Sequence, residues 1–273
     1  MPSGATLSSR QNPRFRAALG LRGVGQRRAQ GRFLVDGVRE IERALEAGVT
    51  VVEAWVAPER LRSEEARALL PRLGSAAEVV PTTPELLARL AYGDRDEGLV
   101  VVVKAPPTEL ERLTLPPDAL LGVVEGIEKP GNLGALLRSA DGAGLDAVIV
   151  ADPVSDAWNP NAIRASLGTI FSMPLAVTSA AQALDFLRSA GIAIVAARVD
   201  ASDDYDSVDL TGGVALVLGS EDAGLGATWS GAGVTAVRIP MLGRADSLNV
   251  STAAAVLFYE ARRQRHAGGG QAG

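Results

Sequence analysis

The chain has 273 residues, of which 47% are apolar and only 4% aromatic, so it can build cores of one large or two ordinary domains and is not a disordered chain. It has no cysteine, which excludes disulfides, thiolate metal sites and cysteine nucleophiles, and its apolar runs, such as 99–103 and 190–197, fall far short of the roughly 20 residues that span a bilayer. The formal charge of −5 is unevenly spread.

Residues 1–33 carry seven arginines (Arg10, Arg14, Arg16, Arg22, Arg27, Arg28, Arg32) and no acid; this segment is +7, and the total of −5 leaves −12 on the rest. A GC-rich genome explains the scarcity of lysine but not the clustering. A basic arm on an acidic body suits a polyanion, because guanidinium forks match phosphate geometry; the alternative is a merely solvated terminus. No signal-peptide core stands at the N-terminus, so a cytoplasmic location is expected.

In chain order, the pattern predicts a helix over 12–21, a strand over 33–35, and a helix over 38–47 with Ile41, Ala44 and Leu45 on one face, stopped by Gly48. A β-rich stretch (50–56), a helix (58–73), an extended segment (78–80), a helix (84–91) and a strand (99–104) complete a small α/β unit. Pro106, Pro107, Pro116 and Pro117 mark a linker. Beyond it, strands are predicted over 119–125, 147–151, 175–178, 192–199, 214–218 and 235–239, and helices over 132–143, 160–169, 181–190 and 248–265. Several of these strands are continuous apolar runs, as parallel strands covered on both faces require. The expected organisation is an N-terminal α/β domain (1–105), a linker (106–117), a doubly wound, mostly parallel α/β domain (118–266) and a Gly-rich disordered tail (267–273).

Ligands of open α/β sheets bind beyond the carboxyl ends of the strands, and three such ends carry unusual loops: 125–134, 218–224 and 239–251. Neither a G-x-G-x-x-G after a strand nor a G-x-x-x-x-G-K-[ST] is present, which disfavours a dinucleotide enzyme or a P-loop phosphotransferase. In the first loop Gly131, Gly134 and Arg138 share a helical face, leaving either an approach for a ligand ending in one guanidinium or room for tight helix–strand packing. Asn132 either caps that helix or orients a neighbour, and Ser247 or Asn249 is a candidate cap in the third loop. The acids Asp203, Asp204, Asp206 and Asp209 read as a solvated loop rather than a metal site, and His266, the only histidine, lies near the C-terminus, so no metal is expected.

The three loops resemble the SpoU (TrmH-type) branch of the SPOUT class of RNA methyltransferases. Asn132, Gly134 and Arg138 match an N-x-G-x-x-x-R motif; Leu218, Gly219, Glu221 and Gly224 match L-G-x-E-x-x-G; and Ile239 through Ser251 match I-P-M-x-G-x-x-x-S-L-N-V-S. In the first domain, Ser9, Asn12, Pro13 and the run from Phe33 to Arg39 are similar to the family's ribosomal-protein-like RNA-binding domain, with Asp36 where a Glu is more usual. Arg164-Ala-Ser166 is similar to a segment of thiopeptide-resistance methyltransferases, which leaves housekeeping and resistance roles both open.

The resemblance implies transfer of a methyl group from S-adenosylmethionine to a ribose 2′-hydroxyl, a C-terminal trefoil knot, and a homodimer. It places the cofactor against Leu218, Gly219, Glu221, Ile239, Met241 and Leu248, with Glu221 a candidate partner for the sulfonium. It makes Arg138 the catalytic residue; Asn132 and Ser247 or Asn249 are read as orienting the groups around it. Because a guanidinium stays protonated, Arg138 suits stabilising an alkoxide and gripping a phosphate better than removing a proton. Arg10, Arg27 and Arg28 are the expected RNA contacts. Arg164 is either a further one or a structural residue, and Trp158 either stacks on a base or packs internally. The extra N-terminal domain favours 23S rRNA; a tRNA 2′-O-methyltransferase and a non-catalytic RNA-binding protein of the same fold are the alternatives.

Overall fold

The computed structural model describes residues 5–93 and 97–269. The chain divides into two compact units: one runs to Pro107 and includes Trp158–Ser172, the other comprises Thr108–Ala157 and the chain from Met173 onward.

In the first unit, β1 (Arg32–Asp36), β2 (Val51–Val56), β3 (Glu78–Pro81) and β4 (Leu99–Lys104) form a sheet in the order β1-β4-β2-β3. β4 is antiparallel to both β1 and β2, and β3 runs parallel to β2. Around it lie α1 (Pro13–Gly20), α2 (Val24–Gln30), α3 (Val38–Glu46), α4 (Glu64–Ala76) and α5 (Pro84–Leu90). Phe15, Leu34, Trp55, Leu86 and Val100 pack into one core. Asn12 caps α1, its side chain accepting from the amides of Arg14 and Phe15.

Two local features depart from the sequence expectation. The helix predicted over 58–73 is broken: a single 3₁₀ turn (Pro58–Arg60) precedes α4, because the Ser63 side chain accepts from the Ala66 amide and restarts the helix there. α2 was not expected, since glycines surround it and it lacks an apolar stripe; it closes on Gly31 in the left-handed region.

The second unit holds a seven-stranded sheet built from β5 (Leu120–Glu125), β6 (Ala147–Ala151), β7 (Leu175–Thr178), β8 (Ala193–Ala197), β9 (Asp203–Asp204), β10 (Val214–Leu218) and β11 (Val234–Arg238). The order is β7-β6-β5-β10-β8-β11-β9, and every pairing is parallel. β9, a two-residue edge beside β11, is too short and too acidic to register as a strand in the sequence.

α6 (Pro130–Ala143) follows β5, α8 (Ala180–Ser189) follows β7, and α9 (Val250–Gly269) ends the described chain. α6 and α9 pack on each other, and Phe258 of α9 lies so close over β5 that a Cβ on Gly122 would come within 2.8 Å of its ring. The Arg265 guanidinium donates to the carbonyls of Asp118, Leu210 and Gly212, fastening the end of α9 to two loops. α9 continues through 267–269, the start of the expected tail; residues 270–273 lie outside the described residues.

The 15-residue segment Trp158–Ser172, between β6 and β7 in the chain, belongs to the first unit and carries α7 (Pro160–Ala165). Trp158 stacks on Phe33 with ring centroids 5.0 Å apart and planes 5° apart, so this tryptophan is a packing residue. The Arg43 guanidinium donates to the Leu167 carbonyl, and that of Arg164 to the Tyr92 carbonyl.

Candidate functional site

The carboxyl ends of β8, β10 and β11 enclose a cavity of about 480 Å³. All six residues expected at the cofactor, Leu218, Gly219, Glu221, Ile239, Met241 and Leu248, line it, and so does Ser247. The volume falls within the 300–1,000 Å³ usual for sites of drug-sized ligands and cofactors. The loop after β10 turns back on itself: a Cβ at Gly219 would overlap the Gly224 carbonyl group and the Leu225 nitrogen, so only glycine fits. Glu125, the last residue of β5, accepts from the Gly226 amide at 2.6 Å and holds the far side of that loop.

At one edge of the cavity the three sequence motifs meet on Glu221. Asn132 donates to Glu221 Oε1 at 2.7 Å, Asn249 donates to the same oxygen, and the Lys129 ammonium lies 2.5 Å from Oε2. Asn249 also faces Asn132 Oδ1 at 3.4 Å. Its own Oδ1 accepts from the amide and hydroxyl of Ser251, so it caps α9 while holding Glu221. The hydrogen bond from Lys129 holds the Glu221 carboxyl below the ordinary carboxylate range, and Glu221 in turn raises the Lys129 ammonium.

Asn132 therefore orients a neighbour rather than capping α6, whose cap position is Lys129. Ser247 lines the cavity while Asn249 joins the carboxylate cluster. Arg138 stands exposed on α6. Among the described residues nothing lies within 4 Å of the place a Gly131 Cβ would take, so that glycine leaves an open approach, whereas Gly134 is buried.

The arginines of the first unit fall into two groups. Arg14 pairs with Glu53 at 2.8 Å and Glu78 at 2.6 Å, and Arg22 donates to the carbonyls of Arg89 and Ala91 while covering the Tyr92 ring. Arg27 is 6% exposed and donates to the carbonyls of Leu21 and Arg22. Arg10, Arg16, Arg28 and Arg32 are exposed.

Sequence reasoning did not single out Lys129, Arg198 or Asp200, although the last two line the cavity and Lys129 contacts Glu221. Their positions on the loops after β5 and β8, which end at the same edge of a parallel sheet as the motif loops, were the available signal.

Comparison with known proteins agrees with this architecture. Residues 119–259 match the SpoU rRNA Methylase family, and residues 12–101 match the MRM3-like substrate binding domain. The chain is 36% identical over 277 aligned residues to the 23S rRNA (uridine(2479)-2′-O)-methyltransferase of Streptomyces viridochromogenes, covering 98% of this chain and 95% of that protein. It is 36% identical to the 23S rRNA (guanosine-2′-O-)-methyltransferase RlmB of Burkholderia sp, covering 85% of this chain and 96% of that one. The crystal structure of AviRb from S. viridochromogenes in complex with AdoMet superimposes with a TM-score of 0.87 at 34% identity, over 94% of this chain and 99% of that one. With one family model spanning the site-bearing half of the chain and relatives aligned across nearly all of it, the protein belongs to the SpoU rRNA methylase family.

Proposed function

We propose that the protein transfers the methyl group of S-adenosylmethionine to the ribose 2′-hydroxyl of a nucleotide in 23S rRNA. The convergence of Asn132, Glu221 and Asn249, one from each motif, at the edge of a cavity of cofactor size carries this reading. When bound, S-adenosylmethionine supplies an electrophilic methyl group on a sulfonium.

The residues of the chain supply orientation and charge. Leu218, Gly219, Ile239, Met241 and Leu248 hold the cofactor, and Glu221 fixes the amides of Asn132 and Asn249, so the groups that meet the incoming ribose are rigid before it arrives. Arg138 remains protonated; it stabilises negative charge developing on the 2′-oxygen and grips a neighbouring phosphate. The N-terminal domain, residues 1–105, binds the RNA, with Arg10 and Arg28 contacting phosphates; Arg27, expected at the RNA from the sequence, is instead buried and fastens the turn at Leu21 and Arg22 that leads into α2, the helix carrying Arg28.

The working form is a cytoplasmic homodimer whose C-terminal domain (118–266) is tied in a trefoil knot, with 106–117 as the linker and 267–273 as a tail. Mapping 2′-O-methylation in total RNA from a deletion strain tests the proposal: loss of one methyl mark from 23S rRNA is expected, and loss from a tRNA alone would favour the tRNA reading. Light scattering on the pure protein tests the dimer.

A further inference from the structure

Asn132, Asn249 and Arg138 are assigned to a ribose and a phosphate, which every nucleotide carries, so they cannot tell one nucleotide from another. Choosing a nucleotide takes a contact to its base, and the order of the strands says where that contact falls. The cavity lies at the ends of β8, β10 and β11, and Asn132 follows β5, the neighbour of β10. In an in-line transfer the entering 2′-oxygen stands across the methyl carbon from the sulfur, so the nucleotide lies on the side of β5 away from β10. That side is β6, one strand spacing or about 5 Å further along the sheet.

The loop after β6, residues 152–157, is held from both sides. At its start Asp152 stands in the left-handed region at φ 44°, a conformation uncommon outside glycine, directly before Pro153. On the β7 side the Asp152 amide donates to the Thr178 carbonyl at 2.8 Å, and its carboxylate accepts from the Ala180 amide at 3.0 Å. On the β5 side the Gly126 amide donates to the Ala151 carbonyl at 2.9 Å, and the Ser155 amide donates to the Ile127 carbonyl at 3.2 Å, in the loop that leads to Asn132. Between these ties Val154 is 68% exposed, and the Ser155 hydroxyl makes no hydrogen bond among the described residues. A strained turn that is fixed by its neighbours yet buries no apolar side chain at its tip is of the kind that clusters at ligand contacts.

We infer, on the basis of the methyl transfer proposed above, that the loop after β6 reads the nucleotide being methylated: Val154 covers a face of its base, and the Ser155 hydroxyl meets the edge. An apolar side chain beside one free hydroxyl suits a flat heteroaromatic ring, whose faces stack and whose edges carry the donors and acceptors. Because the Ser155 amide is spent on Ile127, the hydroxyl is held at a fixed distance from the loop that carries Asn132, and so from the ribose.

The test uses the full chain, tritiated S-adenosylmethionine and a 23S rRNA transcript. After the methylated position has been mapped, four transcripts carrying each base at that position are compared. The unsubstituted protein is expected to favour one base. Val154→Ala should lower kcat/KM on the favoured transcript about tenfold, and Val154→Leu, which keeps the apolar cover, should lose little. Ser155→Ala should narrow the gap between favoured and disfavoured bases. Calorimetric affinity for S-adenosylhomocysteine should stay the same in all three variants, which separates a base contact from a general disturbance of the fold. Equal rates of the unsubstituted protein on all four transcripts would overturn the inference, as would an unchanged kcat/KM in Val154→Ala or an unchanged preference in Ser155→Ala. A weakened S-adenosylhomocysteine affinity would overturn it too, by placing the loop against the cofactor. If the unsubstituted protein methylates no 23S transcript, the proposed methyl transfer itself fails, a result read before any variant is made.

Discussion

Asn132 and Asn249, 117 positions apart in the chain, donate to the same oxygen of Glu221. One amide comes from the first turn of the helix after β5 and the other caps the last helix, so a single carboxylate defines the separation of the two. Glu221→Gln replaces one of its two acceptor oxygens with a donor. Turnover is expected to fall by about tenfold or more, with S-adenosylhomocysteine affinity reduced less, because positioning of the Asn132 and Asn249 amides is lost before the cavity is. Steady-state kinetics beside calorimetry separates the two effects.

Arg138→Lys keeps the charge and removes the planar fork. If the fork stabilises the developing alkoxide and holds a phosphate together, kcat should fall by about a hundredfold with cofactor affinity within about twofold of the original. Near-full turnover of that variant would assign Arg138 a purely electrostatic role.

The two groups of arginines should separate experimentally. Arg28→Ala is expected to weaken RNA binding a few-fold and to make the slope of log K against log salt shallower by about 0.7 to 0.9, as for one phosphate contact. Arg27→Ala strips two carbonyls of a buried charged donor and should cost about 2 kcal/mol of stability. Filter binding at several salt concentrations and thermal unfolding measure the pair.

The Lys129–Glu221 contact fixes the sign of the pH response. Glu221 titrates below its ordinary 4.5, so its contribution is complete above that value and is lost as pH falls through the lowered folded value. Lys129 titrates above its ordinary 10.5, so its contribution is complete below that value and is lost as pH rises through the raised one. Between about pH 5.5 and 8 neither group changes charge, and the affinity for S-adenosylhomocysteine should be flat across that window. A step near pH 6.5 would show that another group controls binding.

The backbone of the loop after β10 offers a direct test of its fold. Gly219→Ala forces a Cβ into the Gly224–Leu225 main chain, and the loop must move to accept it. S-adenosylhomocysteine affinity should fall at least tenfold, read by calorimetry, while the RNA affinity proposed for the N-terminal domain should be unchanged.

Much of this site was legible because its parts are short and contiguous. Asn132, Glu221 and Asn249 each sit in a motif whose spacing survives in the linear sequence, and the continuous apolar runs of β5, β6 and β10 announce a parallel sheet. What stayed hidden depends on side chains crossing between loops. Nothing local tells that Lys129 will reach Glu221 or that Arg198 will grip Asp200. The net charge of residues 1–33 was correct as a count but overstated as a surface, because Arg14 meets two carboxylates and Arg27 is spent on backbone carbonyls. α2 and the 3₁₀ turn at Pro58–Arg60 were missed for a similar reason, since a buried guanidinium and a single serine cap leave no periodic trace.

The cap that Asn249 places on α9 has a consequence for the order of events during synthesis. A chain emerging N-terminus first can complete its first sheet and even β5 and α6, yet the amide that closes the Glu221 cluster is attached to α9, which is made after every strand of both sheets. A nascent chain halted before residue 250 therefore has no finished cavity. The ability to modify RNA waits for Asn249 and α9 rather than growing as the protein lengthens.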